Sequence, residues 1–310
     1  MYLDYMDVNL GGREKLPIKQ FKLEEMVKDP AIVMIAKRGS GKSWICRAIL
    51  KQLKDIPAGI IIAPTDRMSC FYGTFFPDSY IFYDYKSEII KSLLYRQEQM
   101  IDKRTEYKKK GKFVDTRAFI IMDDCLSKKG SWMKDQPITE LLFNGRHYHV
   151  TYILTMQYPL GITPDLRGNF DYIFLMKDNF QSNIKRMYDH YAGMFPTFDS
   201  FKQVFGQLVV DYGAMVVVNR FNKADDSSSF LNQIKYYRAP VIEDVKIGCK
   251  QFRMYHDKNY DKNWRKRQRQ FDIAEFCLNK KKDKSVLNVE LEKNEKSDVK
   301  GKNKFEKYNR

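Results

Sequence analysis

MIAKRGSGKS, the stretch from Met34 to Ser43, nearly fits G-x-x-x-x-G-K-S/T, the pattern of a phosphate-binding loop. Gly41, Lys42 and Ser43 complete the pattern, but Ala36 stands where its first glycine is expected. A methyl group fits at that position if the backbone φ of Ala36 stays negative, because it is a positive φ that favours glycine. The stretch therefore predicts a working loop whose motif is weakened at one position.

The residues on either side of this loop have the patterns of a strand and a helix. Ala31–Ile35 is a short continuous apolar run, typical of a strand buried on both faces of a parallel sheet. After the loop, Ile45, Ala48, Ile49 and Leu53 recur at helical spacing. A strand, a glycine loop and a helix are the context that a phosphate-binding loop requires, which argues against a chance match on a surface turn.

Further apolar runs alternate with helical patterns along the chain. They predict strands at 59–63, 80–83, 118–122, 150–156, 171–176 and 214–218, and helices at 87–109 and 135–143. This alternation predicts an α/β fold with a mostly parallel sheet flanked by helices. Ligands of such sheets bind at the carboxyl ends of the strands, so the polar residues there are the first candidates for a site.

The composition limits the cellular setting and the partners. The 310 residues carry a net charge of +16, which favours a polyanionic partner or a membrane surface. The five cysteines form no C-x-x-C pair, so the sequence suggests neither a disulfide framework nor a zinc site, and a reducing compartment is the simplest setting. Neither a signal peptide nor an apolar run long enough to span a membrane is visible, and we expect a soluble intracellular protein.

The composition changes at about Asp257. DKNWRKRQRQ and NKKKDKS lead into a lysine-rich end with few apolar residues. We therefore predict one folded domain over 1–256, including a lead-in at 1–30, and a basic tail over 257–310 that is partly helical at best. The tail is a candidate for contacts with nucleic acid that do not depend on base sequence, and a solvated chain is the alternative.

The loop supplies the predicted nucleotide site. Backbone N–H groups and a helix N-terminus favour an anion, and Gly39 and Gly41 permit the positive φ of the tight turns. Lys42 is expected to neutralise the β- and γ-phosphates, and the Ser43 hydroxyl to hold Mg²⁺. The predicted nucleotide-binding residues are Ala36, Lys37, Arg38, Gly39, Ser40, Gly41, Lys42 and Ser43.

Polar residues follow two of the other predicted strands. Asp123 and Asp124 end the AFIIM strand in the form of a Walker B motif. Asp123 is expected to hold Mg²⁺, and Asp124 occupies the position of the general base that polarises the attacking water. Gln157 ends the next strong strand, where its side chain is placed to sense the γ-phosphate or the water. An exposed turn with helix-capping acids and an ordinary strand-end glutamine are the alternatives.

Two arginines are candidates for a finger that reaches the γ-phosphate of a neighbouring subunit. Arg146 lies in FNGRHYH just before the Gln157 strand, and Arg167 lies in DLRGNFDY. Each is equally compatible with a surface or packing role, and Arg167 also with anchoring the turn after GITP at 161–164. His147 and His149 form an H-x-H pair, but no further suitable metal ligand lies nearby in sequence.

Several of these segments, in chain order, resemble one protein family: AKRGSGKS, FIIMDD, LLFNGRHYHVTYILTMQY and LRGNFDYIF. They resemble the genome-packaging ATPases of large nucleocytoplasmic DNA viruses, of the poxvirus, iridovirus and mimivirus types. That group belongs to the FtsK/HerA superfamily of P-loop DNA translocases. The resemblance covers about residues 19–220. GSGKS alone is weak evidence, whereas an NGRH segment leading into a strand that ends in glutamine is far more specific.

The resemblance carries its own expectations. It implies a P-loop NTPase fold of the additional-strand (ASCE) type, in which the Gln157 strand lies between the phosphate-loop strand and the Walker B strand. It also implies ATP with Mg²⁺, and a homo-oligomeric ring that pumps double-stranded DNA into a capsid at its packaging vertex, in the cytoplasm of an infected cell. Small residues are tolerated at the position of Ala36 in this superfamily. Many relatives carry glutamate, a longer side chain, at the position of Asp124.

Other functions remain open from the residues alone. Lys37 matches the signature lysine of ParA/MinD-type ATPases, but Arg38 stands where those enzymes want glycine. NKAD at 222–225 imitates the guanine-reading motif of GTPases, but no D-x-x-G follows the middle strand, where Asp123 and Asp124 stand instead. A DNA-binding structural protein with an inactive loop would also carry this charge. Hydrolysis of ATP stimulated by DNA would separate the last possibility from a translocase.

Overall fold

The computed structural model of the chain describes residues 5–11, 14–125, 132–220, 230–243 and 245–264. Its contacts divide the chain into two units, Met1–Lys258 and Asn259–Arg310. The fold and the site described below belong to the first unit. The NKAD motif at 222–225 and most of the predicted basic tail lie outside the described residues.

An open sheet forms the centre of the first unit. Its strands across the sheet run β10-β9-β8-β3-β7-β6-β4-β5, and β1 and β2 form a separate hairpin. The six strands from β3 to β8 are parallel, whereas β9 runs antiparallel between β8 and β10. The strands are β1 (Tyr5–Gly11), β2 (Glu14–Lys19), β3 (Ala31–Ile35), β4 (Gly59–Ile62), β5 (Ile81–Phe82), β6 (Ala118–Asp123), β7 (Val150–Met156), β8 (Tyr172–Met176), β9 (Ala214–Val218) and β10 (Ile234–Tyr237).

The predicted α/β fold and the additional-strand arrangement are confirmed. Every strand predicted from the sequence is present within one residue of its predicted ends. Strand β7, which leads to Gln157, lies between the phosphate-loop strand β3 and the Walker B strand β6. Its Ile153 is in register with Ile32 on one side and with Ile121 on the other.

Helices cover both faces of the sheet, so the parallel strands are buried on both sides. One core contains Val33 and Ile35 of β3, and the other contains Ile32 and Met34, as the alternation of side chains along a strand requires. None of the described helices combines the length and the apolar character that crossing a bilayer requires. The helices are α1 (Lys42–Gln52), α2 (Asp66–Ser69), α3 (Ser87–Lys109), α4 (Gln136–Asn144), α5 (Pro164–Arg167), α6 (Gln181–Tyr191), α7 (Phe198–Leu208), α8 (Phe230–Gln233) and α9 (Lys250–Asn259).

The hairpin β1–β2 and strand β10 were not among the predicted elements. Val8 and Ile18 are the fully buried residues of the hairpin, whose other side chains are exposed or partly exposed, so no apolar run marks it. The hairpin is held to α7, because the carbonyl of Asn9 accepts hydrogen bonds from Gln203 at 3.0 Å and Gln207 at 2.9 Å. The lead-in is thus part of the folded unit.

The parallel strands give the sheet two chemically different edges. The carboxyl edge is where β3 to β8 end, and the amino edge is where they begin. The phosphate loop follows β3 and therefore lies at the carboxyl edge, together with the polar residues that end β6 and β7. The loop between α7 and the antiparallel strand β9 also reaches this edge, because Ala214 pairs with Met176 at the end of β8.

Candidate functional site

The phosphate loop has the backbone geometry that an anion cradle needs. Gly39 and Gly41 have φ of 79° and 96°, which L side chains rarely adopt. Ala36 is buried and does not have a positive φ, and its N–H donates to the carbonyl of Met156 at 2.9 Å. The methyl group of Ala36 therefore fits where the motif usually has glycine, as the sequence analysis required.

Lys42 begins α1 and lies between the two aspartates that end β6. Its Nζ is 3.5 Å from Asp123 Oδ1 and forms a closer ion pair with Asp124 Oδ2. All three side chains are nearly buried, so the ion pairs are screened little by solvent. One buried cation thus faces two buried carboxylates, which leaves the cluster with an excess of negative charge.

Asp123 is fixed by two side chains that the sequence analysis missed. Its Oδ2 accepts a hydrogen bond from Tyr72 Oη at 3.0 Å, and its Oδ1 accepts one from Thr155 Oγ1. Thr155 lies on β7 two residues before Gln157, on the same face of the strand, and this spacing could have predicted it. Tyr72 follows α2 and is 51 positions away in sequence, and nothing in its neighbourhood signals the contact.

Asp124 is held in a conformation that is unusual for an aspartate. Its φ is 53°, and its N–H donates to the carbonyl of Thr155 at 3.3 Å. Gln157 Nε2 donates to Asp124 Oδ2 at 2.9 Å, so the two predicted catalytic side chains are in direct contact. Asp124 Oδ1 is buried and accepts no hydrogen bond from the residues that the structure describes. Backbone strain and an unsatisfied buried acceptor are both typical of functional sites.

The surroundings of Asp123 exclude water. Burial raises the pKa of the Tyr72 hydroxyl well above its usual value, and the charge of Asp123 raises it further. Burial likewise raises the pKa of the Cys46 thiol, with Asp123 again contributing. Both groups therefore remain protonated at neutral pH, and Tyr72 stays a hydrogen-bond donor to the carboxylate.

The residues present fit a nucleotide with a magnesium ion. The glycine loop can surround phosphates, and the buried amine of Lys42 can exchange its carboxylate partners for phosphate oxygens. Hydroxyl and carboxylate oxygens are ligands that Mg²⁺ prefers, and Ser43 and Asp123 supply one of each. The unsatisfied oxygen of Asp124 is suited to accept a proton from water.

Arg146, one of the two predicted arginine fingers, lies at the amino edge. Its guanidinium forms an ion pair of 2.6 Å with Asp171, which immediately precedes β8. Arg220 binds the same carboxylate oxygen at 2.8 Å, and the other oxygen accepts the N–H of Ala31 at 2.9 Å. Asp171 is buried, whereas the Arg146 side chain is 54% exposed. Strand β7, roughly 20 Å long, separates Arg146 from the carboxyl edge of its own chain.

Arg167, the other candidate, is bound within its own segment. Its Nε donates to the carbonyl of Ile162 at 3.0 Å, so it anchors the GITP stretch itself and not the turn after it. The guanidinium also lies 2.9 Å from His190 Nδ1 and stacks over the ring of Tyr191.

The H-x-H pair lies at the amino edge, next to the start of β7. His149 has a φ of 55°, and its Nδ1 lies 2.7 Å from Thr116 Oγ1. Its Nε2 is 3.4 Å from Arg104. The structure therefore engages both ring nitrogens of His149 in contacts within the chain.

The comparison with protein families follows the same residues. A family model described as Poxvirus A32 protein matches residues 18–188, which is more than half of the chain and includes the phosphate loop, both aspartates and Gln157. The chain belongs to the poxvirus A32 protein family. The resemblance stated from the sequence is thereby confirmed, and with it the enzyme class, a P-loop ATPase of viral genome packaging.

Relatives of this A32-family protein occur in other large DNA viruses. Protein L437 of Acanthamoeba polyphaga mimivirus is 45% identical over 279 residues, which cover 89% of this chain and 96% of that protein. Protein 075L of Invertebrate iridescent virus 6 is 31% identical over 242 residues, covering 76% of this chain and 88% of that protein. These matches agree with the mimivirus and iridovirus types named from the sequence.

Among solved structures, the A32-family chain is similar to B204, the DNA-packaging ATPase from Sulfolobus turreted icosahedral virus. The two are 16% identical with a TM-score of 0.47, over 70% of this chain and 100% of that one.

Proposed function

We propose that the protein is an ATP-driven motor that moves double-stranded viral DNA into a capsid. The observation that carries this proposal is the cluster at the carboxyl edge, where Lys42, the two aspartates and Gln157 converge from three separate elements. A chance GSGKS turn would not bring a Walker B pair into contact with its lysine, nor a strand-end glutamine into contact with one of those aspartates. The family supplies the context of genome packaging.

Each residue of the cluster has a defined part in hydrolysis. Lys42 leaves Asp124 and binds the β- and γ-phosphates, which frees the carboxylate as a base. Asp124 then accepts a proton from the attacking water, and Gln157, already bonded to Asp124, orients that water. Ser43 and Asp123 would hold Mg²⁺, which neutralises charge on the phosphates when bound. Tyr72 and Thr155 keep Asp123 in place for that role.

Arg146 acts in trans in this proposal. It lies at the opposite edge from the loop of its own chain, so the nucleotide within its reach is a neighbour's in a head-to-tail ring. Arg220 supports this role, because it continues to neutralise the buried Asp171 when the half-exposed Arg146 turns outward. Arg167, bound to its own turn, is the second choice.

DNA contacts fit best at the end of α3. We define the cationic end of α3 as Lys103, Arg104, Lys108, Lys109 and Lys112. All five are exposed, and none is paired with a carboxylate of the described residues, whereas the neighbouring Lys110 is paired with Glu106. Packaging must ignore base sequence, so the contacts should be made to phosphates, and flexible lysines suit that purpose. The helix dipole alone would favour one or two such cations.

The remaining partners follow from the packaging function. A ring of identical subunits docks at the packaging vertex of the capsid and works in the cytoplasm of the infected cell and at the virion. Rotation or tilting of one subunit against the next couples the nucleotide cluster to the DNA surface. Such coupling is supported because the nucleotide cluster and the cationic end of α3 lie at opposite edges of the same sheet.

The test is ATP hydrolysis with and without DNA. Wild-type protein should hydrolyse ATP, and double-stranded DNA of any sequence should stimulate it. Lys42→Ala should lose at least about 10²–10³ in rate, because its charge is needed on the transferred phosphate. Lys42→Arg keeps the buried charge and should be inactive as well, which separates catalysis from folding.

Lys51→Ala is the matched control, because Lys51 is an exposed lysine near the end of the same helix. It should hydrolyse ATP at the wild-type rate. A wild-type protein that binds DNA and hydrolyses no ATP would instead favour a structural DNA-binding role. Full activity in Lys42→Ala would overturn the assignment of the site.

A further inference from the structure

A tight turn next to the phosphate loop contains a tyrosine where glycine is expected. Val210 to Gly213 join α7 to β9, and the N–H of Gly213 donates to the carbonyl of Val210 at 2.9 Å. The two central residues, Asp211 and Tyr212, have φ of 47° and 63°. Two positive φ values in succession belong to a type I′ turn, whose second central position is usually glycine.

The surrounding structure holds this turn in place. Arg238 reaches it from beyond β10, with its guanidinium 3.3 Å from the carbonyl of Val210 and 3.5 Å from Asp211 Oδ2. Gly213 permits the approach to α7, because a Cβ there would lie 2.2 Å from the carbonyl oxygen of Leu208. The turn is therefore built to present Tyr212 in a strained conformation, and such strain is concentrated at functional sites.

Tyr212 lies directly against the phosphate loop. A Cβ added to Gly41 would be 3.2 Å from Tyr212 Cβ and 3.4 Å from its Cδ1. Yet Tyr212 is 68% exposed, so it covers Gly41 with one part and offers the rest of its ring to solvent. It pairs with no aromatic ring of the described residues, and its hydroxyl makes no hydrogen bond with them.

The sheet order indicates which side of the loop is open to a nucleoside. On the β7 and β6 side, the loop faces Gln157 and the two aspartates, which the triphosphate end requires. The rest of the nucleotide must leave on the other side, toward β8 and β9. The turn of Tyr212 lies there, one strand beyond β8.

We propose that the ring of Tyr212 is the platform on which the nucleotide base stacks. This inference rests on the proposed ATPase function and adds the base-binding residue to it. A stacking platform recognises the flat face of a base and favours purines over pyrimidines by their larger area. It makes no hydrogen bonds to the polar groups of the base, so adenine and guanine nucleotides should bind alike at this contact.

Phe180 is another exposed aromatic residue on this side and provides a matched comparison. It follows β8 and is 59% exposed. Lys37 of the phosphate loop lies over its ring, with Nζ 4.6 Å from the ring centroid. The face of Phe180 is thus already engaged by a cation, whereas that of Tyr212 is not.

The experiment measures binding of ATP, CTP and inorganic tripolyphosphate, each with Mg²⁺, by calorimetry. Tyr212→Gly removes the ring and suits the positive φ, so the variant should fold at least as well as wild type. It should weaken ATP binding by about 5- to 150-fold, the value of one stacked base, and leave tripolyphosphate binding unchanged. The preference for ATP over CTP should shrink. Tyr212→Phe and Phe180→Leu should bind ATP within about twofold of wild type.

Other outcomes decide against the platform. Equal weakening of ATP and tripolyphosphate in Tyr212→Gly would mean that the ring only supports the loop. Unchanged ATP binding in that variant, or a loss in Phe180→Leu instead, would overturn the assignment of Tyr212 while the ATPase function stands. A wild-type protein that binds neither ATP nor tripolyphosphate would overturn both.

Discussion

The two edges of the central sheet carry ionisable residues in opposite ways. At the carboxyl edge, one buried lysine faces two buried aspartates, and strands β6 and β7 aim their polar ends at the same point. At the amino edge, one buried aspartate faces two arginines, because Asp171 binds both Arg146 and Arg220, and the nearby Asp115 pairs with Arg117. The cluster at the first edge is therefore short of positive charge, as a magnesium site should be, whereas Asp171 at the second edge is bound by two positive charges.

Backbone strain occurs at both edges, so strain alone does not identify the proposed site. Asp124 at the carboxyl edge has a φ of 53°, but Asp29 and His149 at the amino edge have φ of 51° and 55°. The latter two line a cleft of about 750 Å³. What distinguishes the carboxyl edge is the combination of strain with buried, convergent and partly unsatisfied polar groups. Substitutions at each edge can therefore test whether the two edges have different functions.

The largest effect on the hydrolysis rate is expected at Arg146, because the proposal gives this amino-edge residue a direct role at the nucleotide of the neighbouring subunit. Arg146→Ala should bind ATP normally and lose about 10³–10⁵ in hydrolysis, the value of a trans-acting finger. Mixed with Lys42→Ala subunits, it should regain activity, since an intact loop can then face an intact arginine. Steady-state hydrolysis across a series of mixing ratios measures this.

Arg220→Ala is the control for Arg146, because it removes the other partner of the same Asp171 oxygen. It should lose less activity than Arg146→Ala if Arg146 acts through the neighbour, because it leaves the finger in place and removes only the residue that neutralises Asp171 when Arg146 turns outward. Mixed rings that form and stay inactive would exclude Arg146 as a trans finger and leave Arg167. Equal losses in both arginine variants would mean that Asp171 merely needs neutralising, and that the amino edge supports the fold without contributing a catalytic group.

The next largest effect is expected at Asp124. Asp124→Asn should retain ATP binding and lose about 10²–10⁴ in turnover, the usual contribution of a general base. Nucleotide binding is measured separately from hydrolysis by calorimetry. Asp178→Asn is the control, because Asp178 is also a buried acid at this edge, but its bonds go to Phe180 N–H and Asn183 of its own segment. If ATP affinity falls together with turnover, Asp124 belongs to the metal site instead.

The sequence predicted the elements that repeat a pattern and missed those that depend on distant contacts. Apolar runs located β3 to β9, and the glycine loop, the aspartate pair and Gln157 stood at strand ends, where parallel sheets place their sites. Tyr72 begins a short 3-10 helix and Tyr212 lies in a turn. Both were missed because neither segment has a periodic pattern of apolar residues. Arg146 was located by its motif, but its pairing with Asp171, which Arg220 shares, arises only from the packing of β3, β7 and β8.

A moderate effect on DNA binding is expected at the amino edge. Neutralising Lys108, Lys109 and Lys112 together to glutamine should weaken DNA binding uniformly across sequences. The slope of log affinity against log salt should fall by up to about 3, since each phosphate contact contributes about 0.9. Hydrolysis without DNA should be unchanged, because the cluster of Lys42 lies at the other edge. Filter binding over a range of salt concentrations measures the slope.

The control removes the same number of charges elsewhere. Lys185, Lys202 and Lys235 are each paired with a carboxylate, so their replacement by glutamine should change the slope little. An equal fall in both triple variants would mean that net charge alone attracts DNA. An unchanged slope in the α3 variant would assign DNA binding to another surface, and deletion of residues 265–310 then tests the basic tail.

The smallest effect is expected at Asp29, where the amino edge buries a carboxyl group without a catalytic use. Burial raises the pKa of Asp29 above its ordinary value of 3.8; the positive charges of His149, Arg117 and Lys28 oppose this rise, and Asp115 adds to it. Because the folded state holds the proton more tightly than the unfolded state, stability is lost as the pH rises through the raised pKa.

Asp29→Asn removes the charge, and asparagine tolerates the left-handed backbone. The variant should therefore be more stable than wild type at pH 8, by less than about 1 kcal/mol for this partly exposed group, and the gap should narrow at pH 4. Urea unfolding at both pH values measures the gap. A gap that does not change with pH would assign the effect to the backbone, and a loss of hydrolysis in this variant would show that the two edges are chemically coupled.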